Sequence, residues 1–346
     1  MFATGWRVCL QSGVERQGDD VMQLEQEQLA GYNAAREGVA FWRVPEPGWV
    51  LIAGDDRTDF VQRQTTNDVR LLAPDRAQLT VLTSATARIL DVWRLVALDD
   101  VIGTITLPGR GASTAHYLQR RIFFMDKVTV TDASDTLAQI DLLGPGAAGA
   151  LAALGVTDAP APDTVAEMAW QGETVRVLGQ SGALGLGWRL LVPRPAAKAL
   201  ESRLAEAGAR GLAGEAYETV RVEAGLPAAG RELTDAYTPL ETGLRAAVHE
   251  AKGCYTGQEV LARQINYDKI TRQMVGLRLE TPVQRGAAVQ VEGRGAGEVT
   301  SAVVSPRFGA IALAVVKRPH FEPGTVVMVA SGEETARGEV VSLPFA

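Results

Sequence analysis

Residues 252–259 read Lys-Gly-Cys-Tyr-Thr-Gly-Gln-Glu, which sets a thiol between Gly253 and Gly257 and beside Lys252. Cys254 is one of only two cysteines in 346 residues. The next residues, Gln258 and Glu259 through Gln264, are good helix formers, so the spacing predicts Cys254 just ahead of a helix N-terminus. Unpaired backbone N–H groups and the helix dipole favour an anion there, and a lysine adds positive charge. Both effects lower a thiol pKa and make a nucleophile or metal ligand of it. The competing reading is a small buried hydrophobe, the commonest fate of a free cysteine.

Two carboxylates have a second kind of promise. On the helix expected over 214–223, Tyr217, Val220 and Glu223 recur at three- to four-residue spacing and share a face. Glu223 then lies at the edge of the apolar side, beside the break at Gly225-Leu226-Pro227. A half-buried carboxylate there can accept the paired N–H donors of a heterocycle, or it can be a structural ion pair with Arg221. Asp91 sits in the strand pattern Ile89-Leu90-Asp91-Val92-Trp93, where alternation puts it with Ile89 and Trp93. Among apolar neighbours its pKa rises and it becomes a proton carrier; on an exposed edge strand it is ordinary. The three histidines have no metal-ligand spacing, and no phosphate-cradling or dinucleotide glycine pattern follows a strand. The glycine-rich segment 182–187 lies between strands and opens no helix.

These residues need a large body to place them. The length implies two or three domains, and 46% hydrophobic with 22% charged residues is ordinary for a globular chain. A net charge of −7 argues against bulk electrostatic binding to nucleic acid or to a membrane surface. Two distant cysteines make no disulfide framework, which fits the cytoplasm, and cannot hold an iron–sulfur cluster alone. No apolar run is long enough to span a bilayer. Residues 1–21 show no periodicity and read as a disordered extension, with Met22 opening a helix and marking a candidate natural start.

Beyond that helix the pattern is α+β. Strands are expected at 39–44, 49–53, 78–83, 88–98, 101–107 and 127–131, with helices at 55–65 and 113–121. From 138 to about 212, strand–helix–strand–strand–helix is the order of a ferredoxin-like subdomain. After 271 the composition changes to six short strands with glycine turns, an antiparallel β-barrel over 272–346. The expected division is therefore 1–21, 22–271 as two interlocked lobes, and 272–346.

The segment Lys252–Glu259 is similar to the signature of the YgfZ family, folate-binding relatives of the glycine-cleavage T-protein, an aminomethyltransferase. Arg221-Val222-Glu223-Ala224-Gly225 resembles the Arg-x-Glu-x-Gly segment of the wider superfamily, and Gln64–Val69 and Tyr117–Arg121 match further patterns. The resemblance spans about residues 38–346. It implies a multi-lobed T-protein-like fold around a tetrahydrofolate site. On it, Glu223 matches a pterin-binding glutamate, Tyr217 an aromatic implicated in folate binding, and Trp49 a second aromatic contact. Asp91 matches the first aspartate of the T-protein's Asp-Asp pair, while Val92 replaces the second.

The resemblance further implies maintenance or assembly of iron–sulfur clusters in client enzymes, including a radical enzyme that modifies tRNA, with no direct contact to nucleic acid and no membrane. The leading expectation is a tetrahydrofolate-binding protein acting through Cys254 as a transient disulfide, a one-carbon acceptor or a single cluster ligand. The alternatives are a folate-dependent aminomethyltransferase using Asp91, and a scaffold without ligand.

Overall fold

The computed structural model describes residues 18–180, 187–332 and 334–346. Residues 1–17 of the extension, Cys9 among them, and residues 181–186 of the glycine-rich segment lie outside these. The first helix runs Gly18–Glu37, beginning four residues ahead of Met22.

Two sheets form the body. The first is five-stranded and antiparallel, in the spatial order Ala77–Thr83, Ile89–Ala97, Val101–Thr106, Gly48–Ala53, Thr129–Asp132. The second is six-stranded, in the order Arg210–Gly211, Ala40–Arg43, Leu137–Leu143, Trp188–Pro193, Glu173–Gly179, Val165–Trp170. Ala40–Arg43 thus leaves its sequence neighbour Gly48–Ala53 and pairs with strands of the second lobe. That exchange interlocks the lobes. The strand Val165–Trp170 was not legible beforehand, because only Met168 of its six residues is buried and an edge strand gives no alternating signal.

Alternation along the strands sorts their side chains into layers. Trp93 and Leu95 face the helices Arg57–Gln64 and Gly111–Gln119, joining Phe60, Val61, Ala115 and Leu118 in one core. Val96, with Trp49 and Ile105, meets Leu178 and Leu191 of the second sheet in a core between the sheets. On the far side, Ile140, Leu142 and Leu190 pack under the helices Ala147–Ala153 and Ala197–Glu206. The order is helices, sheet, sheet, helices.

The C-terminal strands Arg272–Leu279, Gly309–Lys317, Arg294–Ser305, Ala288–Val291, Val326–Ser331 and Glu334–Val341 close into an antiparallel barrel in that order. Leu277, Val289, Val299, Ala314, Val316, Val327 and Val340 fill it, every one at inward alternate positions. The six strands expected from the glycine-punctuated pattern are all present. The fold is mixed α+β with an all-β end, as the sequence predicts.

The helix Gly214–Glu223 joins the parts. Ala216 and Val220 pack on Tyr32, Ala35 and Ala40, while Val222 packs on Ile311, Leu313 and Phe345 of the barrel domain.

Candidate functional site

A cavity of ≈ 110 Å³ lies at the end of the layer between the sheets. Val92, Arg94 and Ile105 come to it from the first sheet, Trp42, Gln180 and Arg189 from beside or within the second. Tyr217 and Arg221 of the helix Gly214–Glu223 close one side, and the Gly- and Pro-rich stretch from Leu226 to Leu233 closes another. A wider hollow of ≈ 430 Å³ shares Leu107, Pro108, Ala229 and Leu233 with it and opens past Arg110, Thr234 and Asp235. Together they make a groove with a narrow inner end.

The inner end is aromatic and rich in hydrogen-bond donors. Trp42 and Tyr217 stack with ring centroids 3.6 Å apart and planes 11° from parallel. Arg189 holds Asp141 through two bonds of 2.7 and 2.8 Å, and Gln180 donates to the same carboxylate at 3.0 Å. Arg94 donates to the Gly179 carbonyl at 3.3 Å, and burial lowers its guanidinium to about pKa 10. Burial raises the Tyr217 phenol, with the Asp141 charge adding to it, so its O–H stays a donor. Arg221 pairs with Glu218 and Glu232 and donates to Ser301 at 2.6 Å, tying the cavity wall to the barrel. Among the described residues, no aspartate or glutamate lines this inner cavity.

Asp91 lies on the other face of its strand from Val92. It is fully buried, and its carboxylate accepts from the backbone of Val92 at 2.8 Å and Leu107 at 3.1 Å, Trp93 Nε1 at 2.8 Å and Thr114 Oγ1 at 2.5 Å. Desolvation pushes the carboxyl up to about 6 against those four bonds. The group pins the Leu107 turn to the helix Gly111–Gln119, and does not line the cavity.

Glu223 is likewise outside it. Its Oε1 accepts from Tyr32 at 2.8 Å and Ser305 at 2.5 Å, and Arg36 approaches its other oxygen at 3.5 Å. The partner weighed for it in the sequence, Arg221, turns to Glu218 and Glu232 instead. Trp49 is sealed between the sheets, its ring so close to Gly103 that a Cβ there would meet it at 2.1 Å. Of the sequence-predicted site residues, Tyr217 alone lines the cavity. Trp42 supplies the second aromatic face, one strand earlier than Trp49.

Trp42 could have been found from its alternation with Val44 once the strand exchange was known. Arg94 in Val-Trp-Arg-Leu-Val and Arg189 in Trp-Arg-Leu-Leu-Val carry a sequence signal of their own, a cation amid an apolar strand.

Cys254 is exposed and stands apart, on a loop laid against the first sheet. The loop is held at several points. The Lys252 ammonium donates to the carbonyls of Gln62, Thr65 and Asn67 at 2.9, 2.6 and 2.6 Å, where the helix Arg57–Gln64 ends. This is a helix C-terminus capped by a cation, so Lys252 anchors the loop and is not committed to the thiol. Burial brings its pKa down to about 8. Thr83 Oγ1 donates to the Thr256 carbonyl at 2.6 Å, and Gln258 Oε1 takes the Tyr255 N–H at 3.1 Å.

Gly257 has φ +85° and would bring a Cβ to 2.6 Å from the Ser84 carbonyl, so that position demands glycine. Gly253 is under no such constraint, with nothing within 4 Å of a Cβ built there. The helix does follow, over Gln258–Asn266, but begins four residues after the sulfur. Beside the loop a hollow of ≈ 250 Å³ is lined by His249, Lys252, Tyr255, Gln258, Glu259 and Asn266 among others. Among the described residues no cluster of His, Cys, Asp and Glu could hold a metal ion, and no helix is long and apolar enough to cross a membrane.

Two sheets back to back, with a closed antiparallel barrel joined to them through the helix Gly214–Glu223, define the class of fold. Residues 5–252 match the family described as the GCVT N-terminal domain, and residues 272–346 the glycine cleavage T-protein C-terminal barrel domain. The chain belongs to the glycine cleavage T-protein (GCVT) family. The aminomethyltransferase of Symbiobacterium thermophilum is 31% identical over 332 residues, covering 91% of this chain and 88% of that one. A protein of Arabidopsis thaliana, provisionally named a transferase and described as chloroplastic, is 28% identical over 337 residues, covering 96% and 77%. The crystal structure of the glycine cleavage system aminomethyltransferase T from Bartonella henselae superposes with a TM-score of 0.82 over 92% of this chain and 89% of that one, at 22% identity. That likeness establishes the shared fold.

Proposed function

We propose that this protein binds a reduced folate, tetrahydrofolate or a derivative, in the groove between its sheets without transferring an aminomethyl group. In this reading it supports iron–sulfur enzymes, among them a tRNA-modifying radical enzyme, through Cys254, in the manner of the YgfZ proteins whose signature it resembles. The observation that carries the proposal is the cavity wall. Val92 faces the ligand space, Asp91 is bonded into the opposite core, and no aspartate or glutamate is among the described residues lining the inner end. The inner end can clasp a ring, and the carboxylate of Asp235 stands only at the mouth of the wider hollow.

The residues present fit a folate in three respects. The Trp42–Tyr217 pair offers a flat aromatic face for a heterocycle or an aminobenzoyl ring. Asp141, held by Arg189 and Gln180, gives the inner wall a fixed polar edge beside that aromatic face. The narrow cavity running into the wider hollow suits an elongated ligand. When bound, a reduced folate would supply one-carbon or reducing chemistry. The chain's own part is to clasp the ring and exclude water.

Cys254, exposed on an anchored loop, is available to a partner as a single thiolate ligand. The test is genetic and enzymatic together. Cells lacking the protein should recover cluster-enzyme activity with the wild-type chain and not with Cys254→Ala, while the purified protein should turn over no aminomethyl donor. Full rescue by Cys254→Ala, or turnover of the donor, overturns the reading.

A further inference from the structure

Helix Gly111–Gln119 and strand Thr129–Asp132 are joined by Arg120-Arg121-Ile122-Phe123-Phe124-Met125-Asp126-Lys127-Val128. Phe123, Phe124 and Met125 are 67%, 97% and 74% exposed, three consecutive large apolar side chains in water. Nothing in the packing of the fold calls for them. The turn is nonetheless built firmly. The Asp126 N–H donates to the Phe123 carbonyl at 2.9 Å, and its carboxylate accepts from the Phe123 N–H at 3.0 Å. Arg63 clasps the same carboxylate through two bonds of 2.9 Å. The Phe123 N–H, with Arg63 behind it, holds the Asp126 carboxyl below its ordinary range, so the clasp is charged at neutral pH.

The surround is cationic. Arg57, Arg120 and Arg121 have no carboxylate partner among the described residues: Arg57 donates to the carbonyls of Gly54 and Asp99, and Arg121 lies 3.9 Å over the Tyr117 ring. Lys127, at the far end, pairs with exposed Asp55 at 3.2 Å. A convex apolar tip with surplus guanidinium groups beside it has the anatomy of a protein interface core with a charged rim, where Phe, Met and Arg are enriched. A pinned turn lowers the ordering cost of association. The chain's net charge of −7 disfavours an anionic bilayer as the partner.

We infer that the Phe123–Phe124–Met125 turn docks into an apolar pocket of another protein whose rim carries carboxylates facing Arg120 and Arg121. None of the three residues lines the groove, although the helix end that holds Lys252 also carries Arg63 to the turn, and the inference stands without the proposed function.

The test places a photoreactive p-benzoylphenylalanine at position 124 of the full chain in its native cells, with Tyr267, also exposed, as the control position. The expected result is one discrete adduct with a different protein from position 124, and none from 267. That adduct should fall at least tenfold with Arg120→Glu and Arg121→Glu combined, and its cross-linked peptide should map to an acid-flanked apolar pocket. Phe124→Asp should leave the melting temperature and tetrahydrofolate binding of the purified protein unchanged, since Phe124 belongs to neither. An adduct of two copies of this chain, an adduct only with lipid or RNA, no adduct, or one insensitive to the charge reversals would each overturn the inference.

Discussion

The groove between the sheets and the Cys254 loop are built in opposite ways. The groove is assembled from side chains scattered over the sequence, Trp42, Arg94, Arg189 and Tyr217, which meet only because Ala40–Arg43 crosses into the second sheet. The loop is a contiguous run of eight residues fastened by its own lysine, a threonine carbonyl and a glycine with positive φ. The difference teaches that the groove and the thiol loop are held by separate sets of contacts. Each can then be disturbed without the other.

The sharpest division concerns two tryptophans seven residues apart. Trp49→Ala removes a ring packed between the sheets and should cost about 3–5 kcal/mol of stability in denaturant unfolding. Trp42→Ala removes a ring at the cavity and should leave most of the stability in place. If Trp42→Ala were the more destabilising of the two, the assignment of core and wall would be reversed.

Asp91 marks the groove's supporting face, and its signature is a pH slope. Its folded pKa, about 6, lies above its ordinary 3.8, so the folded chain binds this proton more tightly than the unfolded chain does. The stability it contributes is present in full below about 4 and is lost as the pH rises through about 6. The loss is on the order of 2–3 kcal/mol at about 1.4 kcal/mol per pKa unit. Unfolding free energies measured from pH 4 to 7 should show that slope in the wild type and lack it in Asp91→Asn. An unchanged slope would place the titrating group elsewhere.

Lys252 marks the loop. Lys252→Met strips three carbonyls of their shared donor and should loosen residues 249–257 by about 1.5–3 kcal/mol, read as faster amide hydrogen exchange there. Tetrahydrofolate binding should be unaffected. Lys252→Arg keeps the charge and should recover part of the protection. The smallest effect belongs to the stacked pair: Trp42→Ala should weaken tetrahydrofolate binding about three- to tenfold, the worth of one aromatic contact.

Much of the frame was legible in the sequence because it rests on local pattern. Six glycine-bounded strands announced the barrel, and a helix expected over about 214–223 is the helix Gly214–Glu223. The likeness of residues 252–259 to a known signature pointed to the thiol loop. What stayed hidden depends on contacts far apart in the chain. The strand exchange that brings Trp42 beside Tyr217 has no local mark, and the choice of Tyr32 and Ser305 as partners for Glu223 spans 191 and 82 residues. Lysine beside cysteine suggested a cation serving the thiol, whereas the helix end at Gln62–Asn67 competes for that ammonium and holds it. Alternation alone did place Asp91 with Trp93, and it is their shared burial that takes the carboxylate away from the ligand space.

Calorimetric titration of tetrahydrofolate into the wild-type chain, Trp42→Ala and Cys254→Ser, with an aminomethyl donor added at the end, addresses the central claim most directly. The account predicts saturable heat for the wild type, the same heat and affinity for Cys254→Ser, weaker binding for Trp42→Ala, and no product from the donor in any of them. No saturable heat with the wild type, or steady turnover of the donor, would contradict it.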